Sequence, residues 1–190
     1  MSRLGSWKPS TFDDRLERVE SVNDIRQLAY RYALAVDSRD LDALVELFVP
    51  DVRVGRDATG RDALREWFVS HLRRMRVSVH FVGNHIIDFD DANQASGVVY
   101  CRDEVEMPDA REWRIGMVQY WDSYARRDGT WYFERRRFHR WYGVDALTRP
   151  GHGAGVLDQS GELPSALLPD AFASWRSFWD QAPSDPRPRP

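Results

Sequence analysis

Apolar positions along the chain keep a helical spacing first and an alternating one later. Val22, Ile25, Leu28, Ala29, Tyr32, Ala33 and Val36 recur every three or four residues, the period of one helix face. Ser21, followed three residues on by Asp24, predicts a capping-box start for that helix. The stretch 12–20 either extends it by a turn or two or forms a separate arm. Asp40 predicts the cap of a short second helix with Leu41, Leu44, Val45 and Phe48 on one side, stopped by Pro50. Residues 52–54 read as a small edge strand. After Gly60, the positions of Leu64, Trp67, Phe68, His71 and Leu72 mark a third helix with one apolar stripe.

From Val77 the pattern turns to β: VSVHFVG, HIIDFD, SGVVYCRDEVEM, EWRIGMVQYWDSYARR and WYFERRRFHRWYG. Two turns punctuate these runs, Asp90-Asp91-Ala92-Asn93 and Asp128-Gly129, so long antiparallel strands are expected. Helices followed by a meander predict an α+β fold in which the helices cover one face of a curved sheet and close the mouth of a cone. The expected organisation is a loose arm over 1–11, one domain over 12–143, a long loop with an amphipathic helix over 144–180, and a proline-rich tail over 181–190. The loop carries Pro150, Gly151, Gly153, Gly155, Pro164 and Pro169, and the helix Phe172, Trp175 and Trp179.

Composition narrows the function. A chain of 190 residues that is 42% hydrophobic suits a single buried core. Lys+Arg of 27 against Asp+Glu of 30 gives a net charge of −3, so no global field favours nucleic acid or an acidic membrane. Arg135, Arg136 and Arg137 do not change this, because successive strand residues alternate between faces and at most one or two can enter a pocket. No apolar run approaches the roughly 20 residues of a membrane-spanning helix. Cys101 is the sole cysteine, which excludes an internal disulfide and a thiolate zinc cluster, and a soluble cytoplasmic protein is expected. His80 and His85, five positions apart, fall on opposite faces of a regular strand and make a poor metal pair without a bulge. The glycine-rich run 151–155 lacks the strand-to-helix setting of a phosphate loop. Neither metal nor cofactor is expected.

Three side chains stand out as candidate chemistry. Asp37 lies near the end of the first helix, where the macrodipole disfavours a carboxylate by roughly 0.3–1 kcal/mol unless a cation or donor compensates it. An imidazole would do so. His80, in the run VSVHFVGN, could then have its tautomer fixed by that carboxylate and its other nitrogen left to take a proton. The plain alternatives are a solvated Asp37 in the turn before Asp40 and a His80 that is an ordinary core or surface residue. Tyr32 shares the inward stripe of the first helix, either as core or as a pocket phenol. Asp103 is the only carboxylate in phase with Val99, Cys101 and Val105; it is a second acid/base group or an arginine's partner, and a one-residue bulge would put Glu104 there instead.

The runs IRQLAYRYALAVDSRDLDALVELFVPDV, VHFVGNHIIDFDDANQASGVVY and DGTWYFERRRF resemble a SnoaL-like protein of the NTF2-like superfamily, over roughly residues 15 to 143. That superfamily includes scytalone dehydratase, bile-acid dehydratases, dehydrochlorinases, ketosteroid isomerases, polyketide cyclases and non-catalytic members. The resemblance implies a cone-shaped α+β barrel around an apolar pocket. It also implies a cofactor-independent dehydratase acting on a hydrophobic polyketide, sterol or terpenoid, with an isomerase or cyclase, or a binding protein like a dioxygenase small subunit, as alternatives. Asp37 matches the aspartate that orients a strand histidine, His80 that histidine, and Tyr32 a pocket tyrosine of some bile-acid dehydratases. Tyr120 stands about where scytalone dehydratase has an asparagine, and no second strand histidine occurs near Val105. Asp103, Tyr120 and Trp67 are the expected substrate contacts. Similar proteins are often dimers or trimers, so a homo-oligomer is expected, and the eight tryptophans and nine phenylalanines suit a pocket or a subunit interface.

Overall fold

Helix α1 begins where the local sequence can satisfy its free amides. In the computed structural model, which describes residues 7–107 and 112–146, α1 spans Phe12–Ser38. The Thr11 hydroxyl accepts from the Asp14 amide at 3.0 Å, and the Asp14 carboxylate accepts from the Thr11 amide at 3.2 Å. This box, with Asp13 and Asp14 in the first turn, starts the helix ten residues before Ser21, which is buried inside it. The stretch 12–20 is therefore continuous with the helix. Its own apolar residues Phe12, Leu16 and Val19 stay exposed, which is why it lacked a core stripe in sequence. The N-terminal arm is anchored from Trp7 onward: its amide donates to Phe89 O, its ring packs on Phe89, and its carbonyl accepts from Arg18.

Arg39, at φ 61°, ends α1 in the left-handed region, and Asp40 caps α2 (Leu41–Glu46) by accepting from the Ala43 amide. A two-stranded ribbon, β1 (Arg53–Val54) with β2 (Ala58–Thr59), leads into α3 (Arg61–Leu72). The sheet then follows in chain order as an antiparallel meander: β3 (Val77–Phe89), β4 (Gln94–Met107), β5 (Glu112–Arg127) and β6 (Thr130–Asp145). Asp128 and Gly129, both at positive φ, form the two-residue turn between β5 and β6 that strand twist favours.

The two runs VSVHFVG and HIIDFD are one strand with a bulge. Pairing shifts by one residue between Val82↔Cys101 and His85↔Val99. The extra residue reverses the side-chain phase. Ser78, His80 and Val82 point to the helix-covered face before it, and His85, Ile87 and Phe89 after it. The opposite faces expected of a regular strand do not apply across the bulge, and His80 and His85 share a face, although no group of three metal-ligating side chains occurs among the described residues.

Ile25, Val36, Leu44, Phe48, Val49, Phe68, Phe89, Tyr124 and Phe133 join the three helices to one half of the sheet. Ala29, Val99, Cys101, Val118 and Tyr120 form a second core patch under the middle of α1. No described helix is long and apolar enough to cross a membrane. The loop expected beyond Ala146, the helix with Phe172, Trp175 and Trp179, and the proline-rich tail lie outside the described residues.

Candidate active site

The C-terminus of α1 and the start of β3 bring Asp37 and His80 together. Asp37 Oδ1 accepts from the His80 ring at Nδ1, 2.6 Å away, and Asp37 Oδ2 accepts from the His80 backbone amide at 2.8 Å. The Ser78 hydroxyl donates to Oδ1 at 3.0 Å and itself accepts from the Arg39 guanidinium at 2.7 Å. The carboxylate thus gains the compensation its position demands, from one cation through a hydroxyl and from two N–H groups. Burial pushes the Asp37 carboxyl up, but the hydrogen bonds from His80 and Ser78 outweigh it and hold the group below its ordinary value. An ionised Asp37 accepts only, so Nδ1 of His80 carries a proton, and in the neutral tautomer the lone pair is then on Nε2.

His80 is one end of a row that crosses the sheet. It pairs with Asp103 on β4, which pairs with Gly116 on β5, which pairs with Gly143 on β6. Asp103 leans over Gly116 so closely that a Cβ there would sit 2.0 Å from its Oδ1. That oxygen is buried and has no hydrogen-bond partner among the described residues. Burial raises the Asp103 carboxyl above its ordinary value, against the opposing charges of His80 and Arg140. The β4–β5 register runs unbroken here, so Glu104 does not replace Asp103; it accepts from the Trp113 indole instead.

These groups line an open cavity of about 1380 Å³ between the helices and the sheet. Tyr32, Phe48, Phe68 and Tyr120 form its apolar wall. Tyr32 meets Tyr120, Phe133, Phe68 and Phe48 edge-on, at centroid distances of 5.7 to 6.4 Å. Burial raises the Tyr32 phenol to about 12 although Arg136 pulls the other way, so it remains a hydrogen-bond donor at neutral pH. The Tyr120 phenol is pushed well up by burial too. Trp67, on the exposed flank of α3, lines the cavity and stacks on His71 at 3.8 Å.

Behind the wall lies a buried charge network. Arg136 donates to Asp122 through Nε at 2.9 Å and Nη2 at 2.7 Å, with both side chains almost fully buried. Its guanidinium lies 4.2 to 4.3 Å from the ring centroids of Tyr120, Tyr32 and Phe133. Tyr124 donates to Asp122 at 2.9 Å, leaving its oxygen to accept from His85 Nε2 at 3.0 Å. Burial, with Arg136 and Arg26, depresses His85 to about 4, so its ring is neutral at pH 7.

All six expected site residues border one space except Asp37, which stands behind His80 and reaches the cavity through it. Sequence reading missed Ser78, Arg39, Gly116 and Asp122. Asp122 carried the signal that marked Asp103, a carboxylate in phase with the buried Tyr120 and Tyr124. All three consecutive arginines border the cavity, more than the one or two expected, and Arg136 is the one that turns into the core.

Residues 17–137 match the SnoaL-like domain. An uncharacterized protein of Mycobacterium tuberculosis, Rv2910c, is 27% identical over 128 residues, which cover 65% of this chain and 82% of that one. Among solved structures, a scytalone dehydratase-like protein of Novosphingobium aromaticivorans superposes with a TM-score of 0.61 at 24% identity, over 71% of this chain and 93% of the other. A hexachlorocyclohexane dehydrochlorinase, LinA-type3 of Novosphingobium barchaimii, gives 0.64 at 20% identity, over 71% and 96%. At these identities the superpositions establish a shared fold.

Proposed function

Because the chain belongs to the SnoaL-like domain family, we propose that its cavity houses a cofactor-independent lyase that removes water from an apolar, oxygenated ring compound of polyketide, sterol or terpenoid type. The observation that carries this reading is the 2.6 Å contact between Asp37 and His80 at the cavity wall. His80 Nε2 takes a proton from the carbon next to a carbonyl, and Asp37 holds the ring and stabilises the imidazolium. Tyr32, kept protonated by burial, donates to the developing enolate oxygen. Collapse of the enolate expels the hydroxyl at the neighbouring carbon, and the imidazolium returns its proton so that water leaves. Asp103, next to His80 across the strand and inclined toward its neutral form, donates a hydrogen bond to the departing oxygen. Atoms balance as one ketol in, one enone and one water out.

Isomerisation or ring closure would use the same base and donor without losing water, and the adjacency of His80 and Asp103 suits a proton moved between two carbons. Product mass separates the two. Turnover of hydroxy-ketone ring compounds, followed by mass spectrometry, tests the lyase reading. His80→Ala and Asp37→Asn should each lower turnover about 10²- to 10⁴-fold, and unchanged rates would remove both residues from the mechanism.

A further inference from the structure

Two glycines stand side by side in the sheet, in the row that starts from His80. Gly116 on β5 and Gly143 on β6 are cross-strand partners, both are buried, and both border the cavity. Glycine in a strand interior packs nothing and loses more conformational freedom on folding than any other residue, so it marks a place where another group comes close. The backbone does not require it at 116, because the positive-φ glycines among the described residues are Gly55, Gly60 and Gly129. The space does. The Asp103 carboxyl fills the volume of a Cβ at Gly116, which would lie 2.0 Å from Oδ1, 3.0 Å from Cγ and 3.3 Å from Oδ2.

The direction in which Asp103 leans decides what His80 can do. Asp103 stands between His80 on β3 and Gly116 on β5. Directly opposed strand residues have Cβ atoms about 4.5–5.5 Å apart, within reach of a carboxyl and an imidazole. Turned toward β3, Asp103 would hold His80 at Nε2 while Asp37 holds it at Nδ1, and the lone pair that accepts a proton would be occupied. Turned toward β5, it leaves Oδ1 without a hydrogen-bond partner among the described residues, and only the missing side chain at Gly116 makes room for that position. We propose that Gly116 is a positioning residue: it draws Asp103 off His80 and so opens, between the two, the gap in which a ligand meets base and acid together. The proposal rests on the reading of His80 as a base, and adds the element that spaces it from its acid.

Acylation of His80 by diethyl pyrocarbonate, which attacks an imidazole only through a free lone pair, tests this on the full chain without turnover. Peptide mass spectrometry gives the rate at His80 and, in the same sample, at His71, whose Nδ1 is engaged by the Trp67 carbonyl and whose ring serves as the reference. Gly116→Ala should slow His80 about tenfold relative to His71, the effect of a hydrogen bond with a charged partner. A sheet merely loosened by the added methyl would expose His80 and speed the reaction instead. Gly116→Ala combined with Asp103→Ala should restore the wild-type rate. Asp103→Ala alone should leave the His80 rate within about threefold of wild type, because no contact is lost, and it decides the matter even where Gly116→Ala prevents folding. An unchanged or faster reaction in folded Gly116→Ala, a slowing that survives Asp103→Ala, or an acceleration beyond about threefold by Asp103→Ala alone overturns the proposal. Rates that behave as expected in a chain that turns over no hydroxy-ketone would sink the lyase reading and spare this one.

Discussion

Asp37 and Asp122 show how one residue type is put to two uses by its surroundings. Asp37 sits at a helix end that repels a carboxylate, and the two His80 hydrogen bonds that stabilise it there also orient the imidazole. Asp122 sits under an aromatic layer, where an ion survives only with a partner of good geometry, and Arg136 supplies two parallel N–H donors. Removing one partner strands the other in a medium that cannot solvate it. Asp122→Ala should therefore cost about 3–5 kcal/mol in urea unfolding. A loss near 1 kcal/mol would mean that water reaches Arg136 once Asp122 is gone.

At the level of elements, the bulge in β3 decides most. Were this same sequence to run through Gly83 and Asn84 as a regular strand, it could present either the His80 phase or the Phe89 phase to the helices, but not both. Deleting Asn84 removes the extra residue and leaves Val82, His85, Ile87 and Phe89 in the phase of a regular strand, so both sets stay on the helix-covered face. The melting midpoint should therefore fall far less than the roughly 3–5 kcal/mol cost of truncating a buried phenylalanine would lower it. A drop that large would show that the bulge geometry itself, and not only the phase it sets, holds the strand in place. The capping of α1 belongs to the same scale: Thr11 and Asp14 fix its start, while Ser21 and Asp24 have the right residue types in the middle of a helix already running.

Across the whole molecule, His85 links the buried charge network to global stability. Its folded value of about 4 lies below the ordinary 6.5, so the unfolded chain binds the extra proton between these limits. Stability from this site is intact above about pH 6.5 and declines as pH falls toward 4, by at most about 3 kcal/mol. Asp37, held below its ordinary value, contributes stability above about pH 4 that is lost as pH falls through its folded value, a more acidic window. Urea midpoints measured between these limits should fall for the wild-type chain and flatten for His85→Gln. Parallel curves for the two would show that His85 titrates freely in the fold.

Periodicity alone carried the order of helices and strands, because amphipathic stripes and alternation are written residue by residue. The α+β arrangement followed from that order, and so did the inward phase of Tyr32 and Asp103. The pairing of Asp37 with His80 was suggested by the helix end's need for a donor and singled out by the family resemblance, since 43 residues separate them and no local rule measures that distance. Register and bulges were not legible at all, because they depend on which strand lies alongside. Those features set His80, Asp103, Gly116 and Gly143 in one row and chose Arg136 among three consecutive arginines for the core. Local patterns specify which face of an element is apolar, but the contents of a site depend on contacts between distant segments, and only folding makes those contacts.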